Sequence, residues 1–129
     1  MDYYRNAAAE RHLCGGALLA WDDFAPYADR VREELFGDAE TLCLWRAACK
    51  VRGDVAAVPP ALYDTAVACV AEYEGASPGR LIAMLEDALP RRQLQEIAVE
   101  ITRAVDAGDE VGEIVVYATN ELGKLKPNA

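Results

Sequence analysis

Two adjacent glycines, Gly15 and Gly16, lie inside a segment that otherwise has the periodicity of an α-helix. The predicted helix covers residues 6–21 and carries Leu13 and Ala17 on its apolar side. A glycine in a helix interior costs roughly 1 kcal/mol relative to alanine, so something must require the absence of a side chain at this pair. Close approach by another helix is the simplest reason, and it predicts tight helix packing around this segment.

Composition agrees with a small helical protein. The 129 residues are enough for one domain with a substantial core. Hydrophobic residues make up 53% of the chain but include only two phenylalanines and two tryptophans beside many alanines, which suits helix packing better than a sheet. We therefore expect an all-α fold. The helix boundaries and the resemblance given below imply a small globular helical bundle (residues 1–89) followed by a C-terminal helical hairpin (residues 90–129).

The chain is acidic. Its 22 acidic and 13 basic residues give a formal net charge of −9, which repels a phosphate backbone at long range. We expect direct nucleic-acid binding to be weak or absent. No run of about eighteen apolar residues indicates a membrane span. The first residues also lack the charged-then-apolar order of a secretory signal, so we expect a cytoplasmic location.

Prolines, glycines and capping residues divide the rest of the chain into further helices. A short helix is expected near residue 22, and a third helix over residues 38–51 with Asp38 as its cap. Residues 55–58 are predicted as an extended connector, because the following proline restricts the residue before it, and residues 60–74 as a fourth helix. The predicted core includes Leu18, Phe36, Leu42 and Trp45.

The C-terminal third contains two strong helix signals. Ser77, followed by a proline, is a cap and first-turn pair that starts a helix. The apolar face of that helix resumes after Pro90, so either one long helix continues through the proline or two helices meet there. Asp109 is a good N-cap for the last helix.

The last helix is apolar on two sides, because Val116 and Tyr117 lie away from the face that its other apolar residues form. Such a helix needs more than one partner, and a small domain offers few surfaces. We interpret the hairpin as an interface for a subunit or partner, with ordinary core burial as the alternative. The predicted interface residues are Leu94, Ile97, Ile101, Val105, Val111, Ile114, Val115, Tyr117, Ala118 and Leu122.

Three motifs follow one another along the chain. The first joins Ala9-Glu10, the glycine pair and Leu18-Leu19, and the second begins at Phe36 and carries Trp45 in the helix that follows. The third consists of Arg92-Gln93-Leu94, then Gly108-Asp109, then Val111-Gly112-Glu113-Ile114. In this order, over roughly residues 8–125, the chain resembles the N-terminal domain of bacterial replicative DNA helicases of the DnaB family.

The resemblance implies a role in assembly. In that family this domain holds the helicase subunits together through paired hairpins and receives the primase, while a separate ATPase domain unwinds DNA. It implies a homo-oligomer formed through the hairpin, with primase or a helicase loader as a partner. A free-standing adaptor from a phage or mobile element, which binds a host replication protein, is the alternative. Ala56 or Ala57 stands where the family usually has an aspartate, which favours a divergent version.

No catalytic motif is found, and we expect neither enzymatic activity nor a cofactor or metal. A phosphate-binding loop needs Gly-x-x-x-x-Gly-Lys-Ser/Thr, whereas Gly123-Lys124 is followed by Leu125. His12 and Cys14 are two residues apart and point to different sides of a helix, which prevents a hydrogen-bonded catalytic pair. We interpret His12 as a surface residue and the four cysteines as reduced and half-buried. A metal site built from His12, Cys14 and remote cysteines is the rival hypothesis.

Basic residues cluster at two places. Arg46, Lys50 and Arg52 form a local basic strip on the third helix, and Arg91-Arg92 is a second basic point. Pairing with the surplus carboxylates is the first interpretation. The second is contact with an acidic partner or with single-stranded nucleic acid. Of these two, the overall charge argues for the acidic partner.

Overall fold

The computed structural model describes residues 4–125, and these contain six α-helices and no β-strand. The predicted all-α class is confirmed. The helices are α1 (Ala7–Leu19), α2 (Trp21–Phe24), α3 (Ala39–Val51), α4 (Tyr63–Glu72), α5 (Pro78–Asp106) and α6 (Val111–Lys124). Short 3₁₀ turns occur at Ala25–Arg30, Glu33–Leu35, Val55–Ala57 and Pro60–Leu62. None of the helices within residues 4–125 is long and apolar enough to cross a lipid bilayer.

Helix α1 lies at the centre of the fold, in contact with α3, α4 and α5. Asn6 starts the helix, since its side-chain oxygen accepts a hydrogen bond from the Ala9 amide at 3.0 Å. Residues 13 to 18 are all buried. Because six consecutive residues cover more than one turn of a helix, this half of α1 is surrounded on every side.

The glycine pair lies where two neighbours come closest to α1. A Cβ atom on Gly15 would lie 2.7 Å from the carbonyl carbon of Cys69 in α4 and would overlap the carbonyl oxygen. A Cβ atom on Gly16 would lie 2.6 Å from Cε1 of the Phe24 ring. Gly15 thus lets the backbones of α1 and α4 approach each other, and Gly16 leaves room for an aromatic ring.

The four predicted core residues lie in or against one hydrophobic core. Leu18, Phe36 and Trp45 are buried, and Leu42 is half-buried and packs against them. The rings of Phe36 and Trp45 are in contact, with their centroids 6.0 Å apart. The same core extends along the first part of α5 as far as Leu89, which joins that part of α5 to the head of the molecule.

Helix α5 is one continuous helix of 29 residues that passes through Pro90, the first of the two predicted alternatives. It begins as predicted, with the Ser77 hydroxyl accepting a hydrogen bond from the Arg80 amide at 3.3 Å. The predicted division between residues 89 and 90 falls inside this helix. Its first part belongs to the core, and its second part pairs with α6. Residues 126–129, the end of the predicted hairpin, lie outside the described residues.

Three local predictions differ from the structure. Asp38 occupies the N-cap position of α3 as predicted, but its side chain makes no capping hydrogen bond and lies 3.5 Å from the Arg5 guanidinium, whose positive charge attracts it. Residues 55–57 form a 3₁₀ turn rather than an extended connector, because i→i+3 hydrogen bonds satisfy the amides of Ala57 and Val58. The last helix has Glu110, not Asp109, at its N-cap position.

Candidate interaction site on the helical hairpin

Helices α5 and α6 form an antiparallel pair joined by the short connection 107–110. Helix α5 ends in a Schellman motif. Gly108 has a left-handed φ of 77° and donates its amide to the Val105 carbonyl at 3.1 Å, and the Asp109 amide donates to the Ala104 carbonyl at 3.0 Å. Asp109 therefore completes the end of α5, which is why it does not cap α6. The motif reverses the chain, so that α6 packs back along α5.

The burial pattern identifies the inner face of α6. No residue of α6 is buried, but half-buried residues recur at helical spacing at Ile114, Ala118, Glu121 and, just past its end, Leu125. In the facing half of α5, Ile97 and Ala104 are buried and Ile101 between them is half-buried, and these three residues have the same helical spacing. We call these two facing rows the hairpin seam. Since no residue of α6 is fully buried, contact along the seam leaves much of the apolar surface of α6 exposed.

A second apolar row runs beside the seam on each helix. It consists of Leu94, Ala98 and Val105 on α5, and of Val111, Val115 and Leu122 on α6, all exposed. On both helices this second row is displaced from the seam residues in the same rotational direction about the helix axis, since most of its members come one residue after a seam residue. Because the two helices run in opposite directions, both rows face the same side of the hairpin. We call these six residues the hairpin strip.

Nine of the ten predicted interface residues belong to the seam or the strip, and Tyr117 belongs to neither. Tyr117, 36% exposed, lies on the other flank of α6. Five of the ten belong to the strip, namely Leu94, Val105, Val111, Val115 and Leu122, and four belong to the seam, namely Ile97, Ile101, Ile114 and Ala118. Ile97 differs most from the prediction, because it is only 7% exposed and so is covered by its own chain. Ala98 was not among the predicted residues, although its position one turn after Leu94 is the signal that would have found it.

The predicted basic clusters are largely engaged by carboxylates. The Arg46 guanidinium donates two hydrogen bonds to Glu33, at 2.8 and 2.6 Å. Arg91 lies 3.6 Å from Asp87, and Arg92 is buried. These contacts favour the interpretation in which the basic residues pair with the acidic surplus.

A buried polar cluster holds the loop before α3. Oε1 of the fully buried Glu10 accepts hydrogen bonds from the Gly37 amide at 3.0 Å, the Asp38 amide at 3.2 Å and the Thr41 hydroxyl at 2.9 Å. Burial raises the pKa of Glu10, although the hydrogen bond from Thr41 opposes that effect. The Arg92 guanidinium donates to the Glu34 carbonyl in the same loop. These hydrogen bonds hold residues 34–38 against helices α1 and α5.

Sequence reasoning missed this role of Glu10. A signal for it exists, because Glu10 lies three and seven residues before Leu13 and Ala17 and so shares their buried side of α1. A carboxylate on an apolar helix face needs hydrogen-bond donors when it is buried. The sequence could not show that the donors come from a loop 27 and 28 residues away.

The environments of Cys14 and His12 do not favour a reactive pair. All four cysteines are free, and Cys14 is buried with its Sγ 3.3 Å from the Thr41 carbonyl oxygen. Burial raises the pKa of the Cys14 thiol well above its usual value, which disfavours the thiolate needed for nucleophilic attack or metal binding. His12 is half-buried and lines a shallow surface cleft with Glu74 and Arg80. Within residues 4–125, no three His, Cys, Asp or Glu side chains are grouped so that they could hold a metal ion.

Comparisons of the chain with protein-family models, with curated proteins and with solved structures find no match.

Proposed function

We propose that this chain is a helical assembly domain that self-associates through the hairpin strip. The observation that carries the proposal is the state of α6, which has no buried residue and exposes 73% of Val111 and 56% of Val115. Burying a valine or leucine side chain stabilises a protein by about 1.5 to 3 kcal/mol relative to leaving it exposed. Five exposed valines and leucines, together with Ala98, form a strip along the two helices, and such a strip is typical of a protein interaction surface.

A second copy of the chain is a suitable occupant of the strip. In a two-fold symmetric dimer the same surface is used on both subunits, so an apolar strip would meet an identical apolar strip. The net charge of −9 on each copy opposes this contact at long range. Salt screens that repulsion over roughly 8 to 10 Å, so association should strengthen when salt is added.

Sedimentation of the purified chain tests the proposal. At a concentration on the order of 10 µM, which suits an interface of modest affinity, we expect species heavier than the 14.0 kDa of one chain. We expect the fraction of these species to rise with protein concentration and with salt. A single 14.0 kDa species under all these conditions contradicts self-association.

Within this role, we propose that the chain acts as the N-terminal, primase-docking domain of a DnaB-like replicative helicase in the cytoplasm. The support is the order of the three motifs over roughly residues 8–125 and the pairing of a helical head with a terminal hairpin. A reading frame that continues past residue 129 into a phosphate-binding loop supports the proposal, and one that ends there favours the free-standing adaptor. The purified chain should neither hydrolyse ATP nor bind single-stranded DNA tightly at physiological salt, and salt-sensitive DNA binding would contradict the charge argument.

A further inference from the structure

The head carries a second apolar surface, separate in sequence from the hairpin strip. It is an open groove of about 280 Å³ between the 3₁₀ turn at Val55–Ala57 and helix α4. We call it the head groove, and its lining includes Val55, Val58, Tyr63, Val67, Val70 and Ala71. Tyr63 is 48% exposed and Val67 is 55% exposed, so the large side chains of α4 at this place face solvent.

The lining of the groove limits what it can bind. Every lining side chain is apolar apart from the Tyr63 hydroxyl. Small-molecule sites usually contain several polar groups that orient the ligand, and this groove has almost none. Addition of a peptide strand needs a sheet edge, and residues 4–125 contain no strand. An apolar groove beside an exposed helix suits the apolar face of another helix.

Two exposed acidic residues are next in the chain to residues that line the groove. Asp54 directly precedes Val55, and Asp64 lies one helical turn before Val67; both are exposed. Neither carboxylate forms an ion pair with another described residue. The nearby Arg52 lines a different cleft.

We propose that the head groove binds an amphipathic helix of another protein whose apolar face is flanked by lysines or arginines. The two free carboxylates would pair with those cations while the apolar face enters the groove. A second copy of this chain fits the groove poorly, because the exposed apolar side of its helix α6 is flanked by the acidic Glu113 and not by a basic residue that could pair with the two aspartates. The proposal rests on the docking part of the proposed function, that this chain receives a partner protein. It does not depend on self-association through the hairpin strip.

Binding of a labelled model peptide to the intact chain tests this. The probe is a peptide of about 18 leucines and lysines arranged as an amphipathic helix, a length that supplies several anchors on one face. One comparison peptide has glutamate in place of lysine, and another has the leucines and lysines in scrambled order. By fluorescence anisotropy, we expect the basic helix to bind at least about tenfold more tightly than either comparison peptide. Equal binding of the basic helix and the scrambled peptide means nonspecific attraction to an acidic protein and overturns the proposal.

Two matched variants locate the binding site. Val67→Arg places a charge in the head groove, and Val115→Arg places the same charge on the hairpin strip at a valine of nearly equal exposure, 55% against 56%. Both variants change the net charge by the same amount. We expect Val67→Arg to weaken binding of the basic helix about tenfold or more and Val115→Arg to leave it unchanged. The proposal is wrong if Val67→Arg binds like the parent while its circular dichroism shows a folded helical protein, or if Val115→Arg weakens binding as much.

The same variants separate this proposal from the proposed function. If Val115→Arg abolishes self-association and Val67→Arg does not affect peptide binding, the assembly role survives and the groove proposal fails. If the parent chain is monomeric yet binds the basic helix through the groove, the assembly role fails and the groove proposal stands. Binding of the acidic peptide in preference to the basic one overturns the charge argument, and binding of neither overturns the groove proposal.

Discussion

Helices α1 and α6 have similar lengths, 13 and 14 residues, and both are mainly apolar, yet their environments are opposite. Helix α1 has eight buried residues and contacts α2, α3, α4 and α5, whereas α6 has no buried residue and packs mainly against α5. The difference shows that an apolar helix is not necessarily a core helix. In α1, two glycines remove the side chains that would keep neighbours at a distance. In α6, valines stand where a partner could cover them.

Replacing Gly15 tests the tight packing of α1 and should give the largest change. Gly15→Ala adds a methyl group that would overlap the backbone of Cys69, which cannot move aside as a side chain can. Overpacking of this kind costs typically about 1 to 3 kcal/mol, more than the roughly 1 kcal/mol of helix propensity that alanine contributes. We expect a lower melting temperature for Gly15→Ala. Gly16→Ala should also destabilise the protein, but less, because the Phe24 ring can shift.

Gly123 of α6 is the matched control for these substitutions. A Cβ atom there would meet nothing within 4 Å. Gly123→Ala should therefore raise the free energy of unfolding by up to about 1 kcal/mol through helix propensity alone. If Gly15→Ala also melts above the parent, close packing is not the reason for the glycine pair, and the first of the three helicase-like motifs loses its structural basis.

A second difference between the helices is that α1 buries a carboxylate. Burial raises the pKa of Glu10 above its usual value of 4.5, so the folded protein holds the proton more tightly than the unfolded chain. The contribution of Glu10 to stability is thus fully present below pH 4.5 and is lost as the pH rises through the folded-state pKa. We expect the free energy of unfolding of the parent, relative to Glu10→Gln, to fall as the pH is raised from 4 to 7 in urea titrations.

Thr41→Val sharpens that experiment, because the Thr41 hydroxyl donates to Glu10 and lowers its pKa. Its removal should raise the pKa of Glu10 further and make the loss of stability between pH 4 and 7 steeper. A pH-independent difference between the parent and Glu10→Gln would contradict the assignment of a raised pKa to this carboxyl.

The smallest expected effect concerns an exposed ion pair between α1 and α4. Arg11 donates two hydrogen bonds to the Glu72 carboxylate, at 2.6 and 3.0 Å, at the protein surface. Exposed ion pairs contribute little and are screened by salt. We expect Arg11→Gln to lower the melting temperature less than Gly15→Ala does, and the difference from the parent to shrink in high salt. A large, salt-independent loss would mean that this side of α1 depends on the ion pair more than on packing.

Local sequence signals predicted much of the helical framework. The predicted cap Ser77 acts within one turn, and apolar spacing marked α1, α3 and α5 correctly to within a few residues. Features that depend on distant residues could not be read in this way. The Asp38 amide donates a hydrogen bond to Glu10 of another helix. Ile97 is buried, whereas Leu94, one turn earlier on the same helix and also apolar, is exposed. The seam and the strip both consist mainly of apolar residues, and only the burial pattern separates them.

Sedimentation equilibrium of Val115→Arg beside Val67→Arg tests the central claim, that the hairpin strip is the self-association surface, most directly. Both variants replace a half-exposed helical valine by the same cation, so differences in net charge or helix propensity cannot separate them. At on the order of 10 µM, we predict that the parent and Val67→Arg sediment as oligomers and that Val115→Arg sediments as a folded 14.0 kDa monomer. If Val115→Arg sediments like the parent, the hairpin strip is not the surface through which this chain associates.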